Sequence, residues 1–169
     1  QRALSQKPEV YGEQLPGTPE EPGITKESVH HFFKYVAGSP IKRPGWFFDP
    51  EQQGEGISDV GTHLVDLIQW EAFPGVILEK EDVEIVSSDQ WTTDLTPDMF
   101  EKVTQLNEYP DYLDKYTEGE VLNVESNGEL VYKLKGIYAK VSVIWNFQAP
   151  EGAGDTHYSI MRGSRANLI

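Results

Sequence analysis

The longest helix-periodic run of apolar residues spans residues 57–73, where Ile57, Val60, Leu64, Leu67 and Ile68 fall on one stripe and Pro74-Gly75 closes the segment. A second such spacing, Val29, Phe32, Phe33 and Val36, predicts a helix over residues 26–36, capped by Thr25 and stopped by Gly38 and Pro40. Pro97 in a first-turn position predicts a short helix over residues 96–106. The pattern then changes. Residues 83–88, 121–124, 129–135, 138–147 and 156–162 read as strands, with Asn127-Gly128 as a hairpin turn and Gly136 punctuating the next connection. Helices first and a meander afterwards predict an α+β fold, a mostly antiparallel open sheet with helices packed on one face.

Residues 7–23 hold four prolines and three glycines without any period, so residues 1–24 read as an extended connector and residues 25–169 as the folded domain. The first residues, Gln1-Arg2-Ala3-Leu4, resemble the tail of a helix, and Ala166-Asn167-Leu168-Ile169 a strand entered and left unfinished, which predicts a piece of a longer chain. The 169 residues and their 38% hydrophobic content suffice for one compact core.

Charge narrows the partners. A net charge of −14, with no cluster of Lys or Arg, argues against a nucleic-acid backbone and against an anionic membrane surface. No apolar run is long enough to span a bilayer, and no charged-then-apolar leader opens the sequence. The absence of cysteine removes disulfides and thiolate metal sites. His30-His31 lack a third ligand at metal spacing, and His63 with Asp66 lacks the His-Glu-x-x-His pattern, so no metal site is predicted. Small neutral ligands such as sugars remain compatible with the acidic surface.

The chemistry-bearing residues concentrate on the helix predicted over residues 57–73. Asp59 and His63 are four apart, one above the other on one helical face, and Asp66 and Trp70 extend that line beside the apolar stripe. A carboxylate one turn from an imidazole is a reasonable acid–base unit, and equally a chance pair supporting a surface helix by a few tenths of a kcal/mol. Gly61 inside this helix costs about 1 kcal/mol and predicts close approach of some other group.

Trp46, Asp49-Pro50, Gly54-Glu55-Gly56, Asp59-Val60-Gly61-Thr62-His63-Leu64-Val65-Asp66 and Trp70 together resemble the signature of the Gfo/Idh/MocA oxidoreductases, with a weaker echo at Arg162-Gly163-Ser164-Arg165-Ala166-Asn167-Leu168. The departures are Glu55 inside the glycine triplet and Ala166 where a glycine is usual. The dinucleotide fingerprint and the Glu-Lys-Pro motif are absent. The resemblance implies the substrate-side domain of an oxidoreductase whose NAD or NADP is bound mainly by a Rossmann domain that this sequence lacks. It implies His63 and Asp59 as catalytic residues, Gly61 beside substrate or nicotinamide, and Trp46, Asp66, His157 and Arg162 around a small carbohydrate-like substrate. Homo-oligomers through the sheet are implied as well. Two alternatives stay open at this point: an NAD-dependent glycoside hydrolase or lyase of the same family, and a non-catalytic, sheet-mediated oligomerisation module.

Overall fold

The computed structural model describes all residues 1–169. In chain order it forms α1 (Arg2–Ser5), β1 (Ile24–Phe33), a small ribbon of β2 (Tyr35–Val36) and β3 (Ser39–Pro40), α2 (Pro50–Gln53), α3 (Gly56–Asp59) and α4 (Gly61–Ala72). There follow β4 (Val83–Leu95), α5 (Pro97–Thr104), β5 (Thr117–Glu118), β6 (Val121–Leu134), β7 (Ile137–Gln148), β8 (Thr156–Arg162) and β9 (Asn167–Leu168). Seven strands make one sheet in the order β4-β6-β7-β1-β8-β9, with β5 paired on β6. All its pairs are antiparallel except β1 with β7. The fold is α+β with a mostly antiparallel mixed sheet, as the residue pattern predicts.

Two local expectations are corrected. Residues 24–33 form a strand, not the helix that the spacing of Val29, Phe32 and Phe33 suggests. The strand lies between β7 and β8 and is buried or half-buried at every position, so its burial shows no alternation. Its helix-side positions, Ile24, Lys26, Ser28, His30 and Phe32, mix apolar and polar groups, and the polar ones are satisfied by partners. Its content of Ile24, Thr25, Val29, Phe32 and Phe33 was the better signal.

Asn127-Gly128 is likewise no turn; it lies inside the single long strand β6. Asn127 stitches three strands at a bulge, donating Nδ2 to Trp91 O (3.1 Å) and Thr93 Oγ1 (2.8 Å) and accepting from Trp145 N (2.7 Å). The β6–β7 hairpin turns instead at Lys135-Gly136, whose φ values of 50° and 83° fit a two-residue turn with both central residues left-handed.

Residues 7–23 carry little regular structure, in keeping with their prolines, but they are packed rather than free-running. Tyr11 is buried at 2% exposure, and Gln14 bridges to Gly163. The helices gather over the sheet face that carries Ile24, Val141, Val143 and Trp145, where Leu64 and Ile68 of α4 are buried. Burying each of those two side chains contributes about 1.5–3 kcal/mol.

Between α4 and β1 lies a polar contact under full cover. Lys26 Nζ donates to Glu71 Oε2 (2.7 Å), Ser159 Oγ (2.8 Å) and Gln1 Oε1 (3.3 Å), with the Lys26 side chain 1% exposed. All three ammonium protons have acceptors, which is the condition under which a buried cation is tolerated. Replacing Lys26 with Ala leaves the Glu71 carboxylate buried and unpaired. We expect Lys26→Ala to lose roughly 3–5 kcal/mol in urea unfolding and Lys26→Met/Glu71→Leu to recover most of it. A Lys26→Ala loss of about 1 kcal/mol or less, the scale of an exposed pair, would contradict this account.

Candidate functional site

The helix expected over residues 57–73 is interrupted near its N-terminal end. α3 stops at Asp59, Val60 links the two with helical torsions (φ −88°, ψ −37°), and α4 starts at Gly61. α3 packs closely at Gly56, where a Cβ would lie 1.7 Å from the Ser126 carbonyl oxygen. α3 therefore presses directly on β6 while α4 runs on across β7 and β1. At the break, His63 N–H bonds to Val60 O at 3.1 Å, three residues back, and the Thr62 hydroxyl bonds to Asp59 O at 3.1 Å. Asp59 and His63 are thus on neighbouring turns without an ion pair; the histidine–carboxylate pairs of this chain are those of His30 and His31 with Asp155.

Asp59 borders a narrow crevice with Phe47 and Trp145, and its charge reaches Arg43. His63 is exposed on the helix surface. Gly61 and Asp66 line a different space, a groove of about 370 Å³ between α4 and strands β6 and β7, together with Val65, Leu130 and Val141. The close approach that Gly61 permits is to Ile57 and Val141, which a Cβ at this position would meet at 3.1 Å and 3.9 Å; it faces its own sheet. Trp46 lies in the 3-10 turn Gly45–Phe48 and is 45% exposed, while its neighbour Phe48 is the ring that enters the core. Asp49 caps α2, accepting from Glu51 N (3.0 Å) and Gln52 Nε2 (2.6 Å), with Pro50 next in the first turn.

The two β8 residues separate. His157 pairs in register with Ser28 and so shares the helix-side face, whereas Arg162 has the opposite parity. Arg162 is committed to the N-terminal segment, donating Nη1 to Pro22 O (2.8 Å) and pairing with Glu21. That placement commits the Arg162 side chain to fastening the N-terminal segment against β8.

The helix-side face also holds a cluster that the residue pattern conceals, because its spacing places His30 on a helix. His30 Nε2 is 2.6 Å from Ser28 Oγ, and its Nδ1 is 3.1 Å from Asp155 Oδ2. The ring stacks on Trp145 at 4.7 Å. Asp155 is also held by Lys34, by His31 N–H (3.1 Å) and by His31 Nδ1 (3.3 Å). Arg43 closes this end of β1, donating to Phe32 O and His31 O at 3.1 Å and lying over the Phe47 and Trp145 rings. Strand alternation was the signal that would have found Ser28 and His30 on one face.

Burial lowers the His30 pKa from its ordinary 6.5, against the opposing pull of Asp155. Burial alone would raise Asp155, but the hydrogen bonds from Lys34 and His31 bring it below 3.8. His157 is lowered by burial and then by the Lys26 charge. The face is therefore furnished with neutral imidazoles and an ionised carboxylate near neutral pH.

With this geometry in hand, comparison with known proteins decides the family. The family described as "Putative oxidoreductase C terminal domain" matches across residues 1–169. The chain belongs to it. Among solved structures, a putative oxidoreductase from Parabacteroides merdae is 56% identical with a TM-score of 0.95, over 99% of this chain and 38% of that one. Putative oxidoreductases from Thermotoga maritima (17% identity, TM-score 0.46, 85% of this chain and 33% of that one) and Erwinia carotovora (14%, 0.47, 83% and 32%) are more distant. No curated protein matches. This oxidoreductase C-terminal domain spans 38% of the length of its Parabacteroides merdae relative.

The lowered His30 fixes a pH response. The unfolded chain takes up a proton near 6.5 and the folded chain only below that value, so the contribution of His30 to stability is intact above pH 6.5 and declines as the pH falls below it. An imidazole NMR titration should place the His30 midpoint under 6.5. Between pH 7.5 and 5.5 the wild type should lose more stability than His30→Gln in urea unfolding; equal pH slopes would contradict the assignment.

Proposed function

We propose that this domain supplies the substrate side of an NAD- or NADP-dependent oxidoreductase acting on a sugar, polyol or glycoside. The observation that carries the reading is the start of α4, where Asp59 and His63 follow each other across the α3–α4 junction on a helix fastened to the sheet through Glu71. An exposed imidazole on a rigid element is available to a ligand arriving from outside the domain, and the Asp59 carboxylate, at the mouth of the neighbouring crevice, is available to a sugar hydroxyl. Membership of an oxidoreductase C-terminal family and a longer relative support a second, nucleotide-binding domain as the source of the cofactor. No glycine-rich phosphate loop between a strand and a helix is present in this chain, so the cofactor phosphates are assigned to that other domain.

In this reading the cofactor supplies hydride transfer. His63 exchanges the proton of the reacting hydroxyl, or shares that task with a lysine of the other domain. Asp59 holds a neighbouring hydroxyl, with Asp66, Trp46 and His157 as further substrate contacts and Gly61 keeping α4 close to the sheet. The sheet face away from the helices, where Tyr158 of β8 is exposed, is the surface we assign to self-association.

This chain alone should bind neither NAD nor NADP in calorimetric titration; micromolar affinity would mean that the cofactor site is here. Joined to its nucleotide-binding domain, the enzyme should reduce NAD or NADP with a member of a sugar and polyol panel. There His63→Asn should lower kcat by roughly 10²–10⁴-fold with unchanged cofactor affinity. A His63→Asn enzyme within about threefold of wild type, under 1 kcal/mol of barrier, would refute its role.

A further inference from the structure

The Ser28–His30–Asp155 cluster has the connectivity of an activated nucleophile: a hydroxyl on one imidazole nitrogen, a carboxylate on the other. We propose that Ser28 is a nucleophile toward small carboxylic esters, with His30 as its base and Asp155 as the residue that positions His30. This activity needs no nucleotide and is independent of the hydride-transfer reading.

Four features fix the roles. The Asp155 carboxylate accepts at His30 Nδ1, which puts the imidazole proton there and leaves the Nε2 lone pair facing the Ser28 hydroxyl, 2.6 Å away. Asp155 is itself pinned by Lys34 and by the His31 backbone N–H, so it cannot swing away. Stacking on Trp145 sets the plane of the His30 ring. The His30 side chain remains 20% exposed and Asp155 25%, so the unit reaches the surface although Ser28 itself is only 7% exposed.

The step balances without an additional redox partner. Ser28 Oγ bonds to the ester carbonyl carbon while its proton moves to His30 Nε2. The bond from that carbon to the alcohol oxygen then breaks, and the alcohol leaves with the proton. Water adds to the acyl carbon, giving its proton to His30, and Ser28 recovers a proton as the acid departs. The backbone amides of β1 at this position lie between two paired strands, so no backbone oxyanion hole faces Ser28. The donor available to the developing oxyanion is the His157 imidazole, across the β1–β8 pair from Ser28. Such a site acylates more readily than it turns over.

The test uses this chain with p-nitrophenyl acetate. We expect one equivalent of p-nitrophenolate to be released in a burst, with a single acetyl group located on the Ser28 peptide by tandem mass spectrometry. Ser28→Ala should abolish the adduct. His30→Gln should slow acylation by roughly 10²–10⁴-fold, the range for a positioned acid–base group. Asp155→Asn should slow it as well and Asp155→Glu should restore part of it, a rescue that loss of a merely structural contact would not give. Circular dichroism of each variant keeps folding separate from reactivity. Absence of acetyl on Ser28 in the folded wild type, or an equally fast adduct in folded His30→Gln, would overturn the proposal.

Discussion

The ammonium of Lys26 is the contact on which the arrangement of this domain depends. It is buried in the middle of the sheet, and its acceptors come from three separate places: Glu71 near the end of α4, Ser159 on β8 and Gln1 at the start of the chain. A hydrophobic helix–sheet contact is non-directional and tolerates sliding. A buried cation does not, because moving any acceptor leaves charge without a partner in a medium of low dielectric constant. The pair thus sets the register of α4 on β1. Gly56 sets the other end, since only a residue without a Cβ lets α3 approach Ser126. Between these two fixed points α3 gives way to α4 at Val60, with Asp59 on one side and His63 on the other.

The same constraints divide the helix-side face into two regions of different character. Toward β6, α4 closes over an apolar groove in which Gly61 and Asp66 lie. Toward β8, the face carries polar side chains, with Ser28, His30 and His157 on adjoining strands and Lys26 beneath Glu71. In a chain of net charge −14, three of whose four histidines and several of whose cations collect around the end of β1, this is a local reversal of the general field. The single carboxylate of Asp155 organises it by accepting from Lys34, His30 and His31 together.

The sequence carried the architecture better than the site. Alternation in Val141, Val143 and Trp145 and the turn chemistry of Gly136 specify β7 and its hairpin, because one face of that strand meets a single apolar layer. β1 misled because its buried face is filled by Lys26, Ser28 and His30, residues that read as surface until their partners, far away in the chain, are known. Asn127-Gly128 misled for a related reason: its turn propensity is outweighed by the three hydrogen bonds Asn127 makes within the sheet. The Asp59–His63 spacing places both residues on one continuous helix, whereas the structure divides that run at Val60, which fits the apolar stripe equally well in a divided helix. The outward parity of Arg162 and its bond to Pro22 depend on pairing register, which no local pattern encodes.

For the hydride transfer we propose, a tightly registered helix matters because reacting atoms must be held about 3–3.5 Å apart, a tolerance that loops meet poorly. We propose that this domain turns its helix-side face, at the junction of α3 and α4, toward the nicotinamide of a nucleotide-binding domain. Its most direct test is the crystal structure of the two domains joined, with NAD and a sugar or polyol bound. The account predicts the nicotinamide over the start of α4, with the His63 ring within hydrogen-bond reach, roughly 2.6–3.2 Å, of the substrate hydroxyl. A nicotinamide placed against the opposite sheet face, or a closed complex in which His63 still faces solvent, would contradict it.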